Sequence, residues 1–340
     1  MANFKKFKIA TLGSHTALQI LKGAKDEGFE TIVVCKKGES RPYKSYGLGD
    51  KIIEVDHFKN FFEIEDQLIK ENAILIPHGS FVAYIGPEKV KEIKVQHYGM
   101  RGILEYEADR DKQRKWLLDA GIKVPKIFKK PEDIDRAAII KFHGALGGKG
   151  YFIANNAKEF YERWEKYKGP SKEDFVIQEY IVGVPVYSHY FYSRLTGELE
   201  VMGFDKRYES NADSIGRIAA NDQVDVDIQT TYTITGNVPL VLRESILPRI
   251  FDMGDKVIES SKKLVEGGMF GPFCLEGIID PELNYYIFEI SARIVAGTNP
   301  YINGSPYTWL KYNEPMSTGR RIARDIKEAI EQDRLKEILG

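Results

Sequence analysis

Four side chains stand in patterns suited to phosphate and metal chemistry. Lys141 lies in an apolar run, and Lys149 lies in the tip Gly144-Ala145-Leu146-Gly147-Gly148-Lys149-Gly150. Two ammonium groups around a glycine turn can neutralise a polyphosphate, because glycine lets backbone N–H groups come close to it. The spacing is not Gly-x-x-x-x-Gly-Lys-Ser/Thr, so this is no Walker loop. An exposed hairpin with solvated lysines would look the same. Glu276 in Phe273-Cys274-Leu275-Glu276-Gly277 and Glu289 in Ile287-Phe288-Glu289-Ile290 flank a turn signal, Pro281-Glu282-Leu283-Asn284. A carboxylate inside an apolar strand is costly to bury unless a cation meets it. A hairpin would bring the two together, and two carboxylates beside phosphates are a usual way of holding Mg2+. The period of two puts Arg293 on the face of Glu289, so a structural ion pair remains the alternative.

These residues need elements to place them. Over the first hundred residues short apolar runs alternate with amphipathic segments, the pattern of a doubly wound parallel sheet. Strands are expected at Lys8 to Leu12, Thr31 to Cys35, Ile52 to Val55 and Ala73 to Ile76, with helices at His15 to Glu27 and Glu63 to Glu71. Ligands bind beyond the carboxyl ends of such strands. Two loops stand there, Gly13-Ser14-His15-Thr16 and Pro77-His78-Gly79-Ser80. The first precedes a helix, whose N-H groups and dipole suit a ribonucleotide phosphate or a polar base edge; His15 there is equally an ordinary capping neighbour. A charged helix is expected over Glu105 to Ala120. Beyond it the texture is α+β and mostly antiparallel: Ile139 to Phe142 and Tyr151 to Ala154 as a hairpin, then Phe175 to Ile181, Pro185 to Ser193, Phe273 to Ile279 and Tyr285 to Ile290. Residues 205 to 245 are polar and resist assignment. Gly319 to Leu339 reads as an amphipathic helix.

Composition excludes several functions. The 340 residues carry 49 basic and 50 acidic side chains, a formal net charge of -1, which removes any whole-chain electrostatic case for a nucleic-acid or acidic-membrane partner. Cys35 and Cys274, the only two cysteines, lie in apolar runs, so a disulfide framework and a thiolate zinc site lack material. No apolar stretch approaches the roughly 20 residues of a membrane helix, and a reducing cytoplasm is the expected location. The 19 tyrosines and 18 phenylalanines leave apolar surface for a closed symmetric assembly, so a homo-oligomer is expected.

From Asp109 to Ile302 the order of parts resembles the ATP-grasp superfamily: Asp111-Lys112 opening a helix that ends Ala120-Gly121-Ile122, the Lys141 strand, the Lys149 loop, the hinge Gln178-Glu179-Tyr180-Ile181-Val182-Gly183, and the paired glutamates ending in Glu289-Ile290-Ser291-Ala292-Arg293. Where that superfamily usually has an asparagine ligand, this chain has Ser291. The wording of Gly13-Ser14-His15-Thr16-Ala17-Leu18-Gln19-Ile20, Arg41-Pro42-Tyr43, Ile76-Pro77-His78-Gly79-Ser80, Arg207-Tyr208-Glu209-Ser210-Asn211 and Gly236-Asn237-Val238-Pro239 is similar to one family within it. That is the formate-dependent ligase family that formylates 5-aminoimidazole-4-carboxamide ribonucleotide (AICAR) to FAICAR, and the resemblance covers essentially the whole chain.

The resemblance implies ATP and formate as co-substrates, Mg2+ or Mn2+ on Glu276 and Glu289, and a formyl phosphate intermediate. It implies AICAR contacts from Ser14, His15 and Ser80 in the first domain and Asn237 in the second. ATP would meet Lys141, Lys149, Glu179, Tyr180, Val182 and Glu209, with backbone groups of Tyr180 and Val182 at the adenine and Glu209 at the ribose. Lys149 and Arg293 would stabilise charge on the transferred group. The implied fold is a small doubly wound domain over residues 1–104 followed by an ATP-grasp fold over 105–340, its flexible hairpin region about 137–183 and its catalytic subdomain about 184–340. An ATP-grasp ligase for another carboxylate, or a purine-nucleotide sensor without turnover, would share much of this pattern.

Overall fold

The computed structural model describes residues 4–142, 151–166, 175–225 and 233–340. Strands β1 (Lys8–Leu12), β2 (Glu30–Lys36), β3 (Lys51–Val55), β4 (Ala73–Leu75) and β5 (Gln96–His97) form a parallel sheet in the order β3-β2-β1-β4-β5. Ile32, Val33, Val34 and Cys35 are successive and all buried, as expected of a strand covered on both faces. The two-residue β5 has no pattern to read and went unpredicted. Chain order reverses between β1 and β4, so the loops after these strands meet at the switch point.

A second, antiparallel sheet contains β6 (Ile127–Phe128), β7 (Ala138–Phe142), β8 (Tyr151–Ala154) and β9 (Phe175–Glu179), in the order β6-β9-β7-β8. The β7-β8 hairpin is the one expected; its tip, with Lys149, lies outside the described residues. Phe128, Ile140, Phe160 and Ile177 form a small core of their own beneath it.

The third sheet is antiparallel: β10 (Val184–Tyr192), β11 (Leu199–Glu209), β12 (Ile234–Leu240), β13 (Gly271–Ile279) and β14 (Tyr285–Ser291), ordered β12-β11-β10-β13-β14. The unassigned polar stretch supplies the end of β11, two short helices and the edge strand β12.

The single charged helix expected over Glu105 to Ala120 is in fact two, Ile103–Ala108 and Arg110–Asp119. Asp109 adopts an extended backbone and its carboxylate accepts from the N–H groups of Asp111 and Lys112, both at 3.0 Å. A good N-cap thus wins over helix continuation.

The expected C-terminal helix is Thr318–Glu331, shorter than its apolar pattern because a 3-10 turn, Leu335–Ile338, takes over. It buries Ile322, Ile326 and Ile330 and crosses helix Ala17–Asp26 at the shortest range backbones allow. A Cβ on Gly23 would lie 2.1 Å from the Arg320 nitrogen, and one on Gly319 2.3 Å from the Gln19 carbonyl oxygen. Backbone cannot rotate away, so Gly23→Ala should cost about 1–3 kcal/mol of overpacking. Urea unfolding read by circular dichroism should show a lower midpoint for this variant; an unchanged midpoint contradicts the crossing.

Candidate active site

Directly opposed residues of antiparallel strands share a face. In the third sheet the register pairs Arg207 with Asn237, Tyr187 with both Asp205 and Glu276, Cys274 with both His189 and Ser291, and Glu276 with Glu289. One face is therefore polar across all five strands. The alternating residues Val186, Tyr190, Phe204, Phe273, Leu275 and Ile290 make the opposite face a core.

Glu276 stands opposite Glu289 on adjacent strands. Ser291 Oγ donates to Glu276 Oε1 at 3.1 Å, and Arg207 Nη2 lies 3.4 Å from the same oxygen. Arg207 also stacks 4.0 Å over the Tyr187 ring. Surrounding protein, together with the charges of Glu276 and Glu107, pushes the Glu289 carboxyl up to about 7, although its side chain is open to the cleft.

Arg293 does not lie on the Glu289 face. Strand β14 ends at Ser291, so the period of two stops before reaching it. Its guanidinium meets Glu107 instead, Nη2 to Oε1 at 2.7 Å, and Glu107 Oε2 accepts the Ala292 N–H at 2.8 Å. Glu107 escaped the sequence reading because 185 residues separate it from Ala292; the helix break at Asp109 is the one local signal near it.

A cleft of about 550 Å³ opens beside Glu289, between β14, the second sheet and helix Arg110–Asp119. Its volume is ordinary for a small-molecule site. Lys141 and Gln178 line it from β7 and β9, Arg110 and Arg114 from the helix, and Glu107 from the helix before. Lys141 Nζ donates to Gln178 Oε1 at 3.2 Å. Burial and the charge of Arg110 hold its ammonium below the usual lysine range, while Glu289 opposes that shift. Three cations, Lys141, Arg110 and Arg114, among the carboxylates of Glu107, Asp111 and Glu289 suit a polyphosphate bound with a metal ion.

The hinge residues already carry some internal bonds. The Tyr180 N–H is already given to the Ala137 carbonyl at 2.8 Å, so only the Tyr180 carbonyl is free of that pairing. Glu179 accepts from the Lys126 N–H at 3.0 Å and lies 3.2 Å from Arg136, bracing the strand end rather than lining the cleft. Val182 is exposed. Glu209 ends β11 on the face of Arg207, outside the cleft lining, and its backbone N–H meets the Asp213 carboxylate. Burial and that carboxylate raise Glu209 above the usual glutamate value.

The switch-point loops close the other side. Ser14 Oγ and Ser80 Oγ are 2.7 Å apart, and the rings of His15 and His78 stack with centroids 5.3 Å apart. His15 has φ +57°, a conformation a non-glycine residue rarely holds outside functional loops. Asn299 Nδ2 donates to the His15 carbonyl at 3.0 Å, and His78 bridges to Ile294. His15 is exposed at its edge, yet the protein packed around it, then the charges of His78, Arg293 and Arg207, lower its imidazole from the usual value. Those charges act on it because the loop faces the polar side of the third sheet. Among the described residues no cluster of three His, Cys, Asp or Glu side chains forms a metal cage.

A family model described as a domain of unknown function (DUF1297) matches residues 162–340, and one described as a protein of unknown function (DUF1246) matches residues 9–128. The 5-formaminoimidazole-4-carboxamide-1-(beta)-D-ribofuranosyl 5'-monophosphate synthetase of Pyrococcus horikoshii is 54% identical over 98% of this chain and 99% of its own. The enzyme of that name from Methanocaldococcus jannaschii is 48% identical over 99% and 96%. The chain belongs to this synthetase family. The crystal structure of an IMP biosynthesis protein PurP from Thermococcus kodakaraensis superimposes with a TM-score of 0.77, at 29% identity over 98% of this chain and 100% of that one. N5-carboxyaminoimidazole ribonucleotide synthetase from Thermotoga maritima, at 16% identity and TM-score 0.59 over 94% of this chain and 75% of that one, shows the shared fold alone. The synthetase chain is thus an ATP-grasp protein with a doubly wound parallel sheet at its start, the fold class its sequence led one to expect.

The raised Glu289 has a measurable sign. Between about 4.5 and about 7 the folded synthetase holds more protons on this group than the unfolded chain does, so its contribution to stability falls as pH rises through that window. Metal-free wild type should lose more stability than Glu289→Gln between these limits. Denaturation midpoints with parallel pH profiles contradict the raised proton affinity of Glu289.

Proposed function

We propose that this protein formylates AICAR to FAICAR, using ATP and formate and releasing ADP and phosphate. The observation that carries the reading is its 52–54% identity, over 98% of the chain, to synthetases named for that product. The site supports it chemically. Glu276 and Glu289 are directly opposed in the β13-β14 register, and Glu289 lines a cleft that also holds Lys141, Arg110 and Arg114. That donor set fits Mg2+ or Mn2+, which needs only one or two carboxylates when phosphates complete its shell. Bound there, the ion would draw charge from the phosphate oxygens.

The chain's own residues do the rest by positioning and charge, as phosphoryl transfer requires. Lys141, with Lys149 from the glycine loop, neutralises the polyphosphate. Arg293, held by Glu107, has an unpartnered Nε and stabilises charge on the transferred group. Ser14, His15 and Ser80 receive the ribonucleotide at the helix start, and Asn237 reaches it from the third sheet. Glu179, Tyr180, Val182 and Glu209 serve ATP from the rim, through the groups that their internal bonds leave free. Within this reading residues 1–104 form the nucleotide-presenting unit and 105–340 the ATP-grasp unit. The reaction supports a cytoplasmic location, and exposed Trp309 and Leu310 support a homo-oligomer.

ADP release should require formate and AICAR together, with a formyl-sized mass gain on AICAR. Release with formate and no dependence on AICAR would overturn the assignment. Glu289→Gln should fold and lose turnover, because a neutral amide weakens the metal while keeping shape; an unchanged ATP-dependent rate would remove the metal assignment. His15→Ala and Ser80→Ala should raise the KM for AICAR and leave that for ATP in place, as steady-state kinetics will show.

A further inference from the structure

At the centre of the polar face lies a carboxylate that the chemistry above does not use. Asp205 is fully buried, in mid-strand. Its Oδ1 accepts from His189 Nε2 at 2.8 Å, its Oδ2 accepts from Asn237 Nδ2 at 2.7 Å, and Arg207 Nε lies 3.4 Å from Oδ2. The turn after Ile294 seals it from above: a Cβ on Gly297 would sit 2.2 Å from Asp205 Oδ1 and 2.7 Å from His189 Cε1. Burial alone would favour the protonated acid, but the hydrogen bond and charge of His189 and the charge of Arg207 hold the carboxyl below its usual range.

An ionised carboxylate only accepts hydrogen bonds. The amide of Asn237 must therefore turn its NH2 toward Asp205, which sends its carbonyl oxygen the other way. Asn237 is half-buried, and no described residue donates to that oxygen. We infer that Asp205 is a positioning residue that fixes the Asn237 amide so that Oδ1 accepts an exocyclic N–H of the aminoimidazole. The inference rests on the reaction proposed above. It turns a contact of unspecified kind into a directed one: the site selects a hydrogen-bond donor on the base and rejects an acceptor at that position. Asp205 also lies beside Arg207, which reaches Glu276, so one row of contacts joins the base-reading amide to the metal carboxylates.

Asp205→Asn removes the constraint with little change of shape, because an asparagine there can donate as well as accept. The KM for AICAR should rise on the order of tenfold, about 1.4 kcal/mol, the scale of one hydrogen bond, while KM values for ATP and formate stay put. Asn237→Ala should do the same. In the double variant the Asp205 substitution should add little, since it acts through an amide that is no longer there. Full additivity, or an equal rise in the KM for ATP, overturns the inference, the second by showing a merely structural role. If Asp205→Asn fails to fold, His189→Leu, which removes one of the donors that hold Asp205, should give a smaller rise in the same KM alone. An analogue with a carboxylate in place of the carboxamide separates the two donors. A binding loss that disappears in Asn237→Ala assigns the carboxamide, no loss assigns the amine, and a loss of equal size in both proteins overturns the contact. Wild-type protein inert toward AICAR fails the proposed function itself, and that control is read before any variant.

Discussion

Two like charges held side by side govern this molecule. The β13-β14 pairing sets Glu276 against Glu289, and nothing in strand geometry relieves their repulsion. The groups around them partly do: Arg207 and Ser291 on one side, Lys141 across the cleft on the other. Each relieving group needs support in turn. Arg207 rests on the Tyr187 ring and beside Asp205, and Lys141 is held by Gln178. Loss of solvent comes first in the raised proton affinity of Glu289, and the unrelieved repulsion from Glu276 and Glu107 adds to it.

The end of β14 joins this centre to the rest of the chain. Within four residues, Ser291 donates to Glu276, the Ala292 N–H goes to Glu107, Arg293 pairs with Glu107, and Ile294 bridges to His78 beyond the first sheet. A single extended segment thus sets Glu276, Arg293 and the loop at His78 in one frame. Its rigidity is reinforced from behind, where Asp325 of the C-terminal helix accepts from Tyr98 at 3.0 Å and from Ser193 at 2.7 Å, linking the chain after β5 to the end of β10.

The parallel sheet, the β7-β8 and β13-β14 hairpins and the apposed glutamates were legible because each follows from local periodicity and turn chemistry. What stayed hidden depends on distance along the chain. Glu107 meets Arg293 only after the helix breaks at Asp109 and the first sheet docks. Arg110 and Arg114 look like ordinary surface charges until the second sheet covers them. The hydrogen bond that takes the Tyr180 N–H cannot be seen in a sequence, since it depends on which strand end Ala137 reaches. Asp205 and His189 escaped for the opposite reason: in a run such as Val201 to Asp205 the carboxylate reads as the end of a strand, whereas β11 continues four residues past it.

The cores divide unequally, and this bears on how such a site works. Residues of the first and third sheets share their apolar clusters: Leu12, Ile32 and Leu75 belong with Phe204, Leu275 and Ile290, while Ile9 and Ile74 belong with Phe191 and Ile326. The second sheet keeps its small core to itself, from Phe128 to Ile177. Opening the first sheet from the third would expose shared apolar surface, whereas shifting the second sheet leaves every large cluster intact. Glu276, Glu289, Arg293 and the switch-point loops therefore sit on one body. Lys141 and Gln178 sit on the other, so the width of the cleft between Lys141 and Glu289 is set across the one boundary that no shared apolar cluster spans.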